Sequence, residues 1–265
     1  MREIIRIQLR QARRIPLLRT AQIAVLLTAI LGKAVFLLTD DAEMTASETL
    51  LSGLDGLFIA MALSLTGIFC GGMVAADLED QTVNYELTTG RLRRDVYFGR
   101  AIPAVGLSLL CTMLCVLLPF LLHIALRGWG NALPRSAALM RYFLLLLPVL
   151  RISCFCTAAT FIFKKQFTGI MLGMSAMMLC GSRAIGETAS GPLLGSDWLL
   201  GTDNMARLME FESWRVYDLS FNSHIFADAA ALPVSVTVMT VTVSLLMSAV
   251  WLLIGYHFFH TDDLH

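Results

Sequence analysis

Six stretches of the chain are nearly free of charge, and their lengths leave few folds open. They run over residues 20–39, 56–76, 101–126, 142–163, 166–182 and 229–261, and the only Asp, Glu, Lys or Arg in them are Lys33 and Arg151. A bilayer core about 30 Å thick takes roughly 20 apolar residues of helix. Five of the stretches meet that length, and 166–182 sits at its short end. Charged residues make up 15% of the chain and the mean hydropathy is +0.71. Soluble domains carry about 25% charge, so an ordinary soluble enzyme is excluded.

The expected architecture is an all-α integral membrane protein with six transmembrane helices, at about 20–39, 56–76, 101–126, 142–163, 166–182 and 233–259. The last apolar stretch is longer than one span needs, which puts its start near Pro233 outside the hydrocarbon. An amphipathic interfacial helix over 1–19 precedes the transmembrane domain of 20–265. A cytoplasmic loop occupies 77–100, and an external helical segment occupies 183–228, between spans five and six.

Lys and Arg set the orientation. Residues 1–19, 77–100 and 164–165 hold 12 of them on one side, against 6 in 127–141 and 183–228 on the other. The positive-inside rule then puts both termini in the cytoplasm of a multi-pass protein of the plasma or inner membrane. The first external loop agrees, with Asp40, Asp41, Glu43 and Glu48 and no base. The basic segment is too long for a cleaved signal and reads as the lead into a retained first span. No basic domain or stacking motif is present, so no nucleic-acid partner is expected.

Within the N-terminal segment Ile4, Ile7, Gln11, Ile15 and Leu18 fall on one flank at helical spacing, with Arg6, Arg10, Arg13 and Arg14 around the other. Such a helix lies among lipid headgroups, either as an anchor alone or also as a surface for a cytosolic partner. Lys33 is expected to snorkel to the outer interface, within reach of Asp55 for a local pair. Gly67 and Gly71 form a small-residue ridge for close helix approach. Pro103, Pro119 and Pro148 predict kinks in spans three and four. Arg151, near the middle of span four, costs about 2.5–3.5 kcal/mol on insertion scales and should face the bundle interior. It either satisfies carbonyls freed at Pro148 or lies on a substrate path or subunit seam.

The chemistry of sites yields mainly exclusions. All six cysteines fall within spans, so no disulfide framework is expected. Cys111 with Cys115, and Cys154 with Cys156, lack the loop context of zinc sites. Met171, Met174, Met177 and Met178 form a face ending at Cys180 that suits either packing or soft Cu(I) ligation; packing is the simpler reading, and no metal site is assigned. His257 and His260 read as interfacial residues. There is no GxxxxGK[ST], HExxH or GxSxG, so no catalytic residue is expected and the chain carries no ATPase of its own. Ion-coupled carriers place ionisable groups at mid-membrane. Here only Arg151 is central, and the six stretches hold no Asp or Glu for a proton relay.

The most informative polar stretch is Asp77 to Arg100, DLEDQTVNYELTTGRLRRDVYFGR. Leu78, Val83, Leu87 and Leu92 permit a short amphipathic helix ending near Gly90, since glycine favours the position just past a helix C-terminus. The residues alone leave two readings equal: a solvated loop and a docking surface.

From Gly72 through Ile102 the chain resembles the ABC-2 type permease family of ATP-driven exporters. The resemblance rests on Asp77 and Glu79, Gln81-Thr82, Leu87, Gly90, Arg93 or Arg94, Tyr97 and Arg100. Gln81 departs from the family's usual glycine and Arg100 from its usual lysine. The expected six spans, basic N-terminal helix, large external segment and short acidic end at Asp262 and Asp263 extend the likeness over most of the chain. It implies a permease subunit that pairs as a homodimer or heterodimer and binds a separate cytosolic ATPase carrying ATP and Mg, with no cofactor in this chain. The N-terminal helix and the loop would form the docking surface, through Asp77, Glu79, Thr82, Leu87, Gly90, Arg91, Arg93 and Arg94. ATPase closure would push the loop and re-angle spans one, two and five. The cargo would be a peptide, drug or lipid-like molecule moved outward. The alternative is a non-transporting polytopic scaffold or sensor subunit.

Overall fold

The fold was obtained as a computed structural model, which describes residues 1–39, 45–51, 56–80, 82–171 and 234–261. Eight helices organise these residues: α1 (Arg2–Ala12), α2 (Pro16–Thr39), α3 (Ala46–Leu51), α4 (Gly56–Glu79), α5 (Thr82–Thr88), α6 (Arg93–Arg127), α7 (Arg135–Phe163) and α8 (Val234–Thr261). Residues 166–171 are also helical, and no strand occurs among the described residues. Three helices are long and apolar enough to cross a membrane: Pro16–Val35 of α2, Arg93–Arg127 of α6 and Ser244–Thr261 of α8. The described residues are therefore all-helical, and the three apolar helices mark a membrane-associated protein. The methionine face beyond Met171, the external segment 183–228, Asp55 and the residues after Thr261 lie outside the described residues.

α6 is the central post. Its 35 residues begin two turns earlier than the apolar stretch that predicts it: Asp95 suits the first turn of a helix, and Arg93 and Arg100 find partners within the protein. The helix runs unbroken through Pro103 and Pro119. α4 packs on α6 and α7, α8 packs mainly along α7, and α2 lies against α4 and α6. The seam joining α4, α6 and α7 is built from small and hydroxylated residues. Ser108 and Ser153 share a 2.8 Å hydrogen bond, Cys70 donates to the Ser153 carbonyl, and Thr66, Thr112 and Thr157 are buried beside them. In an apolar solvent helices gain little from burying more apolar surface. Close approach and shared hydrogen bonds hold them instead. Outside this seam α2 turns Ile23, Leu27, Leu31 and Val35 outward, a row at i, i+4 spacing suited to lipid.

Gly71 contributes to that close approach, but toward residues 166–171. A Cβ on Gly169 would lie 2.6 Å from the Gly71 Cα, so both positions exclude any side chain without a backbone shift. Two other expectations change. Lys33 is 1% exposed and sits within the helix packing instead of reaching an outer interface. α1 buries Ile4, Gln8 and Ala12, the i, i+4 row, whereas Ile7 and Leu9 stay exposed. Gly99 explains the choice: α6 is bare there, and a Cβ would meet Ile4 Cγ2 at 2.9 Å.

At the end of the bundle away from α1, α3 is bound to the turn after α6. Ser47 N donates to the Trp129 carbonyl at 2.9 Å, the Trp129 indole donates to the Leu133 carbonyl, and Arg127 donates to the Leu37 carbonyl of α2. Thr45 and Glu48 form half a capping box, with Thr45 N donating to Glu48 Oε2 at 2.8 Å.

Candidate functional site

α4 ends and α6 begins on the same side of the bundle as α1, with α5 hung between them. Two oppositely charged residues lie at this root. Asp77, in the last turn of α4, is 4% exposed, and Arg100, two turns into α6, is 2% exposed. The Arg100 Nε donates to Asp77 Oδ2 and its Nη1 to Glu86 Oε2 of α5, each at 2.9 Å. One planar guanidinium thus ties α4, α5 and α6 together. A lysine, with one compact ammonium, lacks the fork that reaches two carboxylates at fixed angles.

The remaining lone pairs of Asp77 face α1. Gln8 Nε2 donates to Asp77 Oδ2, and Gln11 Nε2 donates to Asp77 Oδ1 at 2.9 Å. The buried carboxylate is therefore both charge-paired and hydrogen-bonded, the condition under which burying an ion is tolerable. The Thr82 hydroxyl donates to the Asp77 carbonyl at 2.9 Å and closes the turn between α4 and α5. Glu79 Oε1 accepts from Gln166 N at 2.7 Å, at the start of the helical residues 166–171.

Beneath this junction lies an aromatic cluster. The Tyr97 ring packs against Phe161 at 4.4 Å and against Tyr256 and Phe259 of α8, and its hydroxyl donates to the Leu252 carbonyl at 2.9 Å. Arg93 donates to the His260 carbonyl at 2.6 Å, near the α8 C-terminus. A cation there meets both unsatisfied carbonyls and the negative end of the helix dipole. The first two turns of α6 therefore hold α1, α4, α5 and α8 at once.

The residues expected to dock a partner divide into two groups. Asp77 is enclosed and serves the junction. Leu87 is half-buried against the core, and Arg91 pairs with Glu3 at 3.6 Å and Glu86 at 3.9 Å. Arg93 is half-buried on α8. Glu79, Thr82, Gly90 and Arg94 are exposed. Gly90 adopts φ +86° just past α5, in the left-handed region that favours glycine, with nothing within 4 Å of where a Cβ would stand. Two residues that the sequence reading did not single out for docking join this outer surface: Tyr85 is 74% exposed and Leu92 70%.

Arg100, Glu86, Gln8 and Tyr97 carry the junction; Tyr97 and Arg100 entered the sequence reading only as part of the family resemblance, without a docking role, and Glu86 and Gln8 did not stand out. A usable signal was present. An acid closing one apolar helix and a base opening the next cannot both stand unpaired beside hydrocarbon, which already suggests Asp77 with Arg100. Arg151 is 1% exposed on α7 and lies inside this single chain, two residues from the Ser108–Ser153 bond. Among the described residues no three His, Cys, Asp or Glu side chains converge as metal ligands.

Fold and site together define a membrane-associated helical protein whose polar loop is braced by buried charge. No protein-family model matches the chain, and no curated protein matches it.

Proposed function

We propose that this protein is the membrane-spanning permease subunit of an ATP-driven exporter of the ABC-2 type, working with a separate cytosolic ATPase. In this reading α4, α7 and the helix that begins at residue 166 join α2, α6 and α8 as spans, six in all. Both termini face the cytoplasm of the plasma or inner membrane, and two permease chains pair. The cargo is a peptide, drug or lipid-like molecule.

The observation that carries the reading is the brace at Arg100. A loop that passes mechanical work to a membrane domain has to move with its helices. α5 meets that requirement, because Glu86 is tied through Arg100 to Asp77 at the end of α4. The brace leaves Tyr85, Leu92 and Arg94 outward, an aromatic, an aliphatic and a cationic contact on one short segment. Aromatic and arginine side chains are the usual anchors of protein interfaces. The burial of Arg151 within one chain favours a place on an internal path over a place at the subunit seam.

Affinity purification of the full chain from its native membrane tests the reading. An ATP-binding protein should accompany it and should be lost from a Tyr85→Ala/Arg94→Glu variant that still folds. Purification without any ATP-binding protein would replace this reading with that of a scaffold or sensor subunit. Retention by the double variant would remove the docking assignment.

A further inference from the structure

The elbow between α1 and α2 covers a groove that the exporter reading does not use. α1 ends at Ala12 with Arg13 as its C-cap, and α2 starts at Pro16, whose fixed φ suits the first helical turn. The elbow, α4 and α6 enclose a groove of about 460 Å³, within the roughly 300–1,000 Å³ of small-molecule sites. Its lining is two-sided in chemistry. Arg13, Arg19 and Gln22 supply the polar groups, and Phe69, Leu107 and Cys111 lie among the apolar ones. Both arginines are exposed, and no carboxylate lines the groove.

We propose that this groove holds one anionic phospholipid from the leaflet on the α1 side. Its phosphate sits between the Arg13 and Arg19 guanidiniums with the Gln22 amide donating, and an acyl chain lies over Phe69, Leu107 and Cys111. Charge complementarity selects the headgroup, because two guanidiniums with no opposing acid favour an anion and match phosphate geometry. The apolar wall selects a lipid over a free anion, since a hydrated phosphate gains nothing from Phe69 and Leu107. Position agrees: α2 and α6 are both long and apolar enough to cross a membrane, and the arginines lie at the α1 end of that pair. Acyl chains meet headgroups at that level.

Native mass spectrometry of the full chain in a neutral detergent tests the site, with phosphatidylglycerol and phosphatidylcholine titrated separately. A detergent micelle lacks the charged bilayer surface, so only a held lipid is counted. One phosphatidylglycerol should be retained in preference to phosphatidylcholine. The Arg13→Gln/Arg19→Gln variant should lower that retention about thirtyfold, on the order of fivefold per arginine. Arg2→Gln/Arg6→Gln, the same loss of charge elsewhere on α1, should leave it unchanged. Leu107→Trp, which fills the apolar side without touching charge, should lower retention of both lipids. Equal loss in the two arginine pairs would reduce the effect to diffuse attraction and overturn the site. Displacement of phosphatidylglycerol by millimolar inorganic phosphate, or no effect of Leu107→Trp, would overturn the place given to the acyl chain.

Discussion

The two ends of α6 solve the same problem with different chemistry. At each end a connection must be fixed to helices that meet there. At the α1 end the fastening is ionic and mostly buried, with Arg100 between Asp77 and Glu86 and Gln8 and Gln11 completing the carboxylate. At the α3 end it is largely backbone: Ser47 to Trp129, Ala46 to Gly128, and the Thr45–Glu48 cap. Backbone bonds are spread over many residues and survive most substitutions. An ionic brace concentrates the fastening on one side chain, which makes it directional and also fragile. The difference places mechanical stiffness at the end where the polar helix α5 hangs.

Removing the ionic brace should have the largest effect. Arg100→Met leaves two carboxylates in a poorly solvated site, and losing one partner of a buried pair costs about 3–5 kcal/mol. Thermal unfolding in detergent should show a large drop, partly restored by adding Asp77→Asn. No restoration would mean that Arg100 acts mainly through its packing. A contact outside both ends should rank second. Gly169→Ala forces a methyl toward the Gly71 backbone at 2.6 Å, and overpacking of this kind costs about 1–3 kcal/mol.

The α3 end should yield less to any single change. Glu48→Ala removes one half of the cap and should cost about 0.5–1 kcal/mol, visible as faster amide exchange at Thr45 with little change in global unfolding. A global effect as large as that of Arg100→Met would erase the contrast between the two ends. Smallest of all, Arg93→Ala removes a half-exposed cation from the α8 C-terminus, worth about 0.3–1 kcal/mol. It should loosen the last turn of α8 in hydrogen exchange without shifting the melting midpoint by much.

Among the described residues, helix existence was legible where charge was absent, because a run of some 20 apolar residues has few alternatives. α2, α6, α7 and α8 all lie where such runs predict them, and α5 ends just before Gly90 as the glycine implies. Boundaries were less legible. Arg93 to Arg100 look like a loop by charge, yet they form helix, with Arg93 and Arg100 each bound to another element. The inward face of α1 was not legible, since hydrophobic spacing favoured Ile7 while the structure buries Gln8. A glutamine on a packing face makes sense only once Asp77 is known to need a donor. Lys33 shows the same limit: snorkelling is a property of the side chain, and burial is decided by its neighbours. The surface at Tyr85 and Leu92 was hidden because exposure of apolar residues cannot be read from one chain's spacing.

The bond between Gln8 and Asp77 joins positions 69 residues apart, and Ile4 closes against Gly99. During synthesis α1 is made before α4 and α6, so its inward face has nothing to bind until α4 and the start of α6 exist. For that interval Gln8 needs water, and the arginines along α1 favour a headgroup layer that supplies it. A helix made before its partners is therefore docked only after them. A completed α1 contact reports that everything from residue 1 to residue 100 has reached its place.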